Sequence, residues 1–161
     1  MHCHAKPRRR AHAPVSELES HVGFWLRFVA NHVSGAFARR LEERGFSVSE
    51  WVALRLLFDT KAVTSTSLVA RIGMTKGAVT KVVDRLVGKQ LVTRRLDADD
   101  RRVQRLSLTR AGRTVVPRLA ALADANDEHY FGHLRAAERR ALIGAMRTIV
   151  ERLGLAGVPT E

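Results

Sequence analysis

The sequence predicts a mainly α-helical fold with a small β-wing, a winged helix-turn-helix flanked by long N- and C-terminal helices. Three observations predict it. Apolar residues recur at three- and four-residue steps over long stretches at both ends, the spacing of one helix face. Two short helical stretches meet at the tight turn Gly73-Met74-Thr75. Two β-prone runs then flank a polar, charged loop.

The elements follow in order. From Ser16 the residues Val22, Leu26, Val29, Val33, Phe37 and Leu41 mark a long first helix running to about Arg44, which Gly45 ends. Ser47 and Glu50 form a capping-box pattern ahead of Trp51, Leu54 and Leu57, so a second helix covers about 48–59. After a short extended piece at Ala62 and Val63, Thr64 and Ser65 can cap a third helix carrying Leu68, Val69 and Ile72, closed by Gly73. Thr75 caps a fourth helix with Val79, Val82, Val83 and Leu86 on one side. Lys76, Gly77, Thr80, Lys81, Asp84 and Arg85 lie on the other, so small and basic residues face outward. The runs Leu91–Leu96 and Val103–Leu108 form a hairpin about the loop Asp97–Arg102. Thr109 caps a fifth helix that Pro117 is expected to kink, and a sixth from about Ala136 aligns Leu142, Met146, Ile149, Val150 and Leu153 before Gly154.

Composition narrows the function. With 45% apolar and 27% charged residues and no apolar run long enough to span a bilayer, the chain reads as a globular protein, with no membrane partner. No secretory pattern follows the basic N-terminus, so a cytoplasmic location is expected. The single cysteine, Cys3, excludes an intrachain disulfide. The 28 Lys and Arg against 16 Asp and Glu leave a charge of +12, and all of it is local. Residues 1–14 hold 4 basic and no acidic residues, and residues 71–113 hold 12 basic and 4 acidic, whereas the rest of the chain balances. Charge gathered on the helix-turn-helix and hairpin points to a polyanionic partner. Residues 1–14, rich in Pro, His and Arg, read as a disordered basic arm, and 15–161 as a single domain whose winged part covers about 48–108. No phosphate-binding glycine loop, nucleophile elbow or protease-type metal pair is present, so neither an enzyme nor a cofactor is expected.

The segments SVSEWVALRLL, SLVARIGMTKGAVTKVVDRL and LVTRRLDADDRRVQRLSLTRAGR resemble the multiple antibiotic resistance regulator (MarR) family of winged helix-turn-helix proteins, over nearly everything from Ser16 to Leu155. The wing motif of that family, Asp-x-x-Asp-x-Arg followed by Leu-Thr-x-x-Gly, is matched by Asp97, Asp100, Arg102, Leu108, Thr109 and Gly112. The resemblance implies a homodimer interlocked through its first, fifth and sixth helices, here about 16–44 and 110–155, with two winged units astride double-stranded DNA. It also implies a transcription regulator, most often a repressor, released by a small-molecule effector. Three positions depart from the pattern. Gln90 stands where a glycine usually ends the fourth helix, Asp99 stands at the tip position often held by arginine, and Arg135 stands at the sixth helix's cap.

The outward face of the fourth helix is the candidate reader of base edges. Thr75, Lys76, Gly77, Thr80 and Lys81 are assigned to the bases and nearby backbone. Arg85, Ser65, Thr66, Arg94, Arg95 and Arg105 are assigned to phosphates, and Arg101 or Arg102 to the minor groove. A stripe of Lys81, Arg85 and Lys89 at four-residue steps would equally suit a plain solvated face. Trp25, His32, Trp51 and Arg55 are the candidates for an effector pocket implied by the family, with core or interface packing as the other account of the tryptophans. His129 and His133 share a helix face at metal-ligand spacing, but no further ligand is fixed near them and no metal site is expected. The rival functional class is an architectural winged helix that binds polyanions without reading sequence; an RNA-binding winged helix is a third.

Overall fold

A computed structural model describes residues 15–156, and the basic arm read in residues 1–14 lies outside them. Six helices and three short strands follow the predicted order. α1 spans Val22–Glu42, α2 Val48–Phe58, α3 Ser65–Ile72, α4 Lys76–Gly88, α5 Arg110–Phe131 and α6 Ala136–Leu153. The strands are β1 (Val63–Thr64), β2 (Val92–Leu96) and β3 (Gln104–Leu108), ordered β1-β3-β2 and antiparallel throughout. The chain divides into two compact units between His32 and Val33.

The helix starts follow from side chains that replace missing backbone partners. Ser47 accepts from the Glu50 N–H while Glu50 accepts from the Ser47 N–H, a complete capping box. Thr64, Thr75 and Thr109 accept from the N–H groups of Ser67, Ala78 and Gly112, at 3.1, 3.3 and 3.0 Å. Arg135 has no acceptor to offer α6; instead Glu138 folds back onto the Arg135 N–H and guanidinium.

One expectation is corrected. The first helix starts at Val22 and not near Ser16, because Leu18–Ser20 form a 3₁₀ turn and His21 is extended. The Ser20 hydroxyl donates to Glu17 O at 2.6 Å, a local bond that competes with helical continuation. Pro117 lies inside α5, which continues through it as one helix. Its ring deprives the helix of one N–H at an exposed position.

In the larger unit the core is one continuous cluster. Val52, Leu54 and Leu57 of α2 meet Leu68 and Ile72 of α3, Val79, Val82 and Leu86 of α4, Leu106 of β3 and Val116 and Leu119 of α5. This fixes one side of α4 and leaves the other in solvent. The exit from α4 is a Schellman motif: Leu91 N–H donates to Leu86 O at 3.0 Å and Gln90 N–H to Val87 O at 2.9 Å. Gln90 takes the left-handed conformation, φ 58°, that glycine adopts more cheaply. The departure from the family pattern at this position therefore preserves the turn.

Gly112 explains the last part of the wing motif. A Cβ on it would stand 2.2 Å from the Leu91 carbonyl oxygen. That carbonyl accepts from the Thr109 N–H at 3.0 Å, and the Thr109 hydroxyl donates to Gln90 O at 2.8 Å. The Leu-Thr-x-x-Gly segment thus clamps the start of α5 onto the exit of α4.

Candidate nucleic-acid interface

The proposed reading surface is built on α4, whose buried valines pack one side of it into the core. Thr75, Lys76, Gly77, Thr80 and Lys81 are all exposed at its N-terminal half. The Thr75 hydroxyl oxygen is engaged as the helix cap, and the Thr80 hydroxyl donates to Lys76 O at 2.9 Å. Around Gly77 no protein atom lies within 4 Å of where a Cβ would stand, so the fold does not require a glycine there.

Residues from four elements converge beside this helix. A hollow of about 260 Å³ is lined by Ser65 and Thr66 of α3, Lys76 and Thr80 of α4, Arg94 of β2 and Gln104 of β3, over a floor of Val69, Val79 and Val83. Five residues assigned from sequence are therefore neighbours in space. Gln104 was not assigned, since nothing in a strand pattern distinguishes a groove-lining amide from any exposed one.

Several cations have protein partners. Arg94 pairs with Asp84 at 2.7 Å, which ties the wing to α4. Arg85 Nε lies 3.3 Å from the buried carboxylate of Glu50, with half of the side chain still exposed. Arg105 gives its Nε to Asp97, and Arg95 stands directly across the hairpin from Arg105. The Asp97 charge offsets repulsion between that facing pair.

The wing loop is organised by carboxylates. Asp97 is 8% exposed and accepts from the N–H groups of Asp99 and Asp100 at 2.9 and 3.3 Å as well as from Arg105. The Arg105 guanidinium and the two N–H groups hold its carboxyl below the usual aspartate range. Asp100 accepts from the Arg102 N–H at 2.9 Å, which braces the loop through backbone and not through the guanidinium. Arg101 and Arg102 are left exposed at the tip.

The four effector-pocket candidates fall in different units and are described separately. In the N-terminal unit Trp25 donates from Nε1 to Glu19 O at 2.9 Å, and His32 donates from Nδ1 to Phe28 O at 2.8 Å. In the larger unit Trp51 packs edge-on to Phe37 against the core, and Arg55 pairs with Asp59 at 2.6 Å. His129 lies edge-on to Tyr130, and among the described residues no group of three or more His, Cys, Asp or Glu is arranged to hold a metal. Among the same residues no helix is long and apolar enough to cross a membrane.

Comparison with known proteins places these features. The MarR family model matches residues 46–103, which span α2, the helix-turn-helix and the wing loop. Transcriptional regulator HosA of Escherichia coli O157:H7 is 24% identical over 101 residues, covering 63% of this chain and 75% of that protein. The structure of Bordetella bronchiseptica BpsR, whose DNA binding is regulated by 6-hydroxynicotinic acid, superposes with a TM-score of 0.74 at 25% identity, covering 84% of this chain and 97% of that one. CouR of Rhodococcus jostii RHA1, solved with p-coumaroyl-CoA bound, also gives 0.74 at 25% identity, over 90% of this chain and 99% of that one.

Proposed function

Given that the chain belongs to the MarR family of DNA-binding transcription regulators, we propose that it is a repressor that binds an inverted-repeat operator as a homodimer and is released by a small anionic aromatic molecule. The observation that carries this reading is α4 itself. One side is buried through Val79, Val82, Val83 and Leu86, and the other presents two lysines, a glycine and two threonines at the end that enters a major groove. Lys76 and Lys81 donate to base acceptors, Gly77 admits the DNA backbone closely, and Thr75 and Thr80 contact a methyl or a phosphate. Ser65, Thr66, Arg85, Arg94, Arg95 and Arg105 surround the groove as phosphate contacts, and Arg101 or Arg102 at the tip reaches the minor groove.

Dimerisation is supported by apolar faces a single chain leaves open. Val22, Leu26 and Val29 of α1 are exposed in the N-terminal unit, as are Leu142, Met146, Ile149, Val150 and Leu153 along α6. Faces of this size in solution call for a partner, and a two-fold pairing places two α4 helices about 34 Å apart, one turn of duplex. The effector reading rests on the two relatives named above with aromatic acids or thioesters. It is also supported by Asn126 on α5, 4% exposed, whose Oδ1 has no hydrogen-bond partner. Such a ligand releases DNA only if it binds the non-fitting separation of the two α4 helices more tightly than the fitting one.

The test is competition of the upstream DNA of its own gene against a scrambled duplex at two salt concentrations, with and without salicylate-like acids. Preference for the natural duplex, lost on adding acid, is the expected result. Equal, purely salt-dependent binding to both identifies the architectural polyanion binder instead.

A further inference from the structure

The C-terminal end of α4 is held in a way that DNA contact does not require. Lys89 donates from Nζ to Gly45 O at 2.7 Å and to both oxygens of Glu50 at 2.9 Å, and it sits 4.6 Å from the centre of the Phe46 ring. The ammonium is thus engaged by three protein oxygens. The Glu50 side chain is only 3% exposed, and its carboxylate also accepts from Ser47 N–H at 2.8 Å and Arg85 Nε at 3.3 Å. One carboxylate therefore joins the segment after α1, the first turn of α2 and the last turn of α4.

Glu50 is buried while Lys89 keeps 35% of its side chain exposed, and such a pair is a poor source of stability, because desolvating the carboxylate offsets much of the attraction. Its specific contribution is direction. Packing of the α4 valines on the core is non-directional and tolerates small tilts, whereas an ammonium with three fixed acceptors does not. α4 has 13 residues and is about 20 Å long. A tilt of roughly 5° about Lys89 would carry its first turn by about 1.7 Å, against the roughly 0.5 Å tolerance of a recognition constellation.

We infer that Glu50 and Lys89 are positioning residues for DNA reading: they touch no base, and they set the angle at which α4 presents Lys76, Thr80 and Lys81. This inference rests on the DNA-reading function proposed above. It also distinguishes Lys89 from Lys81 and Arg85, its partners in the four-residue stripe. Lys89 faces the α1–α2 junction and not the groove.

The test uses the full chain with Lys89→Met, Lys89→Arg and the double variant Glu50→Gln/Lys89→Met. Each is titrated, across salt, against the tightest duplex recovered by selection from a random pool and against a random duplex of the same length. Lys89→Met is expected to bind the selected duplex at least about tenfold more weakly, the scale of one lost base contact. Its affinity for random duplex and its salt slope stay as in the wild type. Lys89→Arg, which keeps the charge and donors, recovers most of the loss. The double variant leaves no unpaired buried charge and so remains folded, yet shows the same loss as Lys89→Met. Equal losses on both duplexes would make Lys89 an ordinary phosphate contact and overturn the inference. So would a double variant that binds the selected duplex like wild type. If the wild type itself shows no preference for a selected duplex, the DNA-reading function fails and the positioning role falls with it.

Discussion

At the scale of single residues, the fold depends on a few positions where an ordinary side chain cannot stand in. Gly112 is the sharpest case, since its would-be Cβ meets a backbone oxygen and not a flexible side chain. Gly112→Ala should cost about 3 kcal/mol, from separating α5 from the Leu91 carbonyl. In thermal unfolding this appears as a drop of about 10 °C. Glu50 supplies a second prediction. Burial raises its carboxyl pKa, but hydrogen bonds from Lys89 and Ser47 and the charges of Lys89 and Arg85 more than offset this, so the net shift is downward. A folded-state pKa below the unfolded one contributes stability that is complete above the unfolded value and is lost as pH falls through the folded one. Urea midpoints measured from about pH 6 to pH 2 should therefore fall less steeply for Glu50→Gln than for the wild type. Ser47 and Glu50 were legible in the sequence as a cap. The attachment of Glu50 to Lys89 was not, because 39 residues separate the partners and no local pattern announces a contact that only the packed fold creates.

At the scale of elements, the recognition helix sets stability against function. Gly77 lies in the first turn of α4 with open space around it, and the position has no need of glycine for folding. Gly77→Ala should raise stability by up to about 1 kcal/mol through helix propensity. It should also weaken DNA binding, because the added methyl stands between helix and duplex. Chemical denaturation and duplex titration on one preparation measure both effects. A variant that gains stability and keeps full affinity would remove Gly77 from the interface. The helices and the wing were legible because caps and apolar spacing are local signals: Thr64, Thr75 and Thr109 each sit where a helix begins. The start of α1 was misplaced because apolar spacing continues through Leu18, where the Ser20 hydroxyl and the extended His21 favour a separate turn. The wing's arginines were legible as a basic group, but which of them carry partners was not. Arg94 reaches Asp84 on another element, and Arg105 takes Asp97 across the loop.

At the scale of the whole molecule, the account requires two copies. Ile149 on α6 is 47% exposed in a single chain, so Ile149→Asp should leave the helix intact while preventing the apolar faces from pairing. Sedimentation should then show a monomer at concentrations where the wild type is a dimer, and affinity for a two-half-site duplex should fall by at least about a hundredfold as the second site's effective concentration is lost. The apolar stripes of α1 and α6 were readable from the sequence; the surface that covers them was not, since a pattern within one chain specifies an open face and leaves its occupant to the assembly. The concentration of positive charge in residues 71–113 was the clearest whole-chain signal, and the structure brings two of those cations, Lys76 and Arg94, to one hollow beside α4. The most direct test of the central claim is selection from a random duplex pool with the wild-type protein, followed by sequencing of the bound fraction. The account predicts enrichment of an inverted repeat with half-site centres about one helical turn apart, altered at one position in each half-site by Lys81→Ala. A bound pool with no enriched motif, indistinguishable from the input, would contradict it.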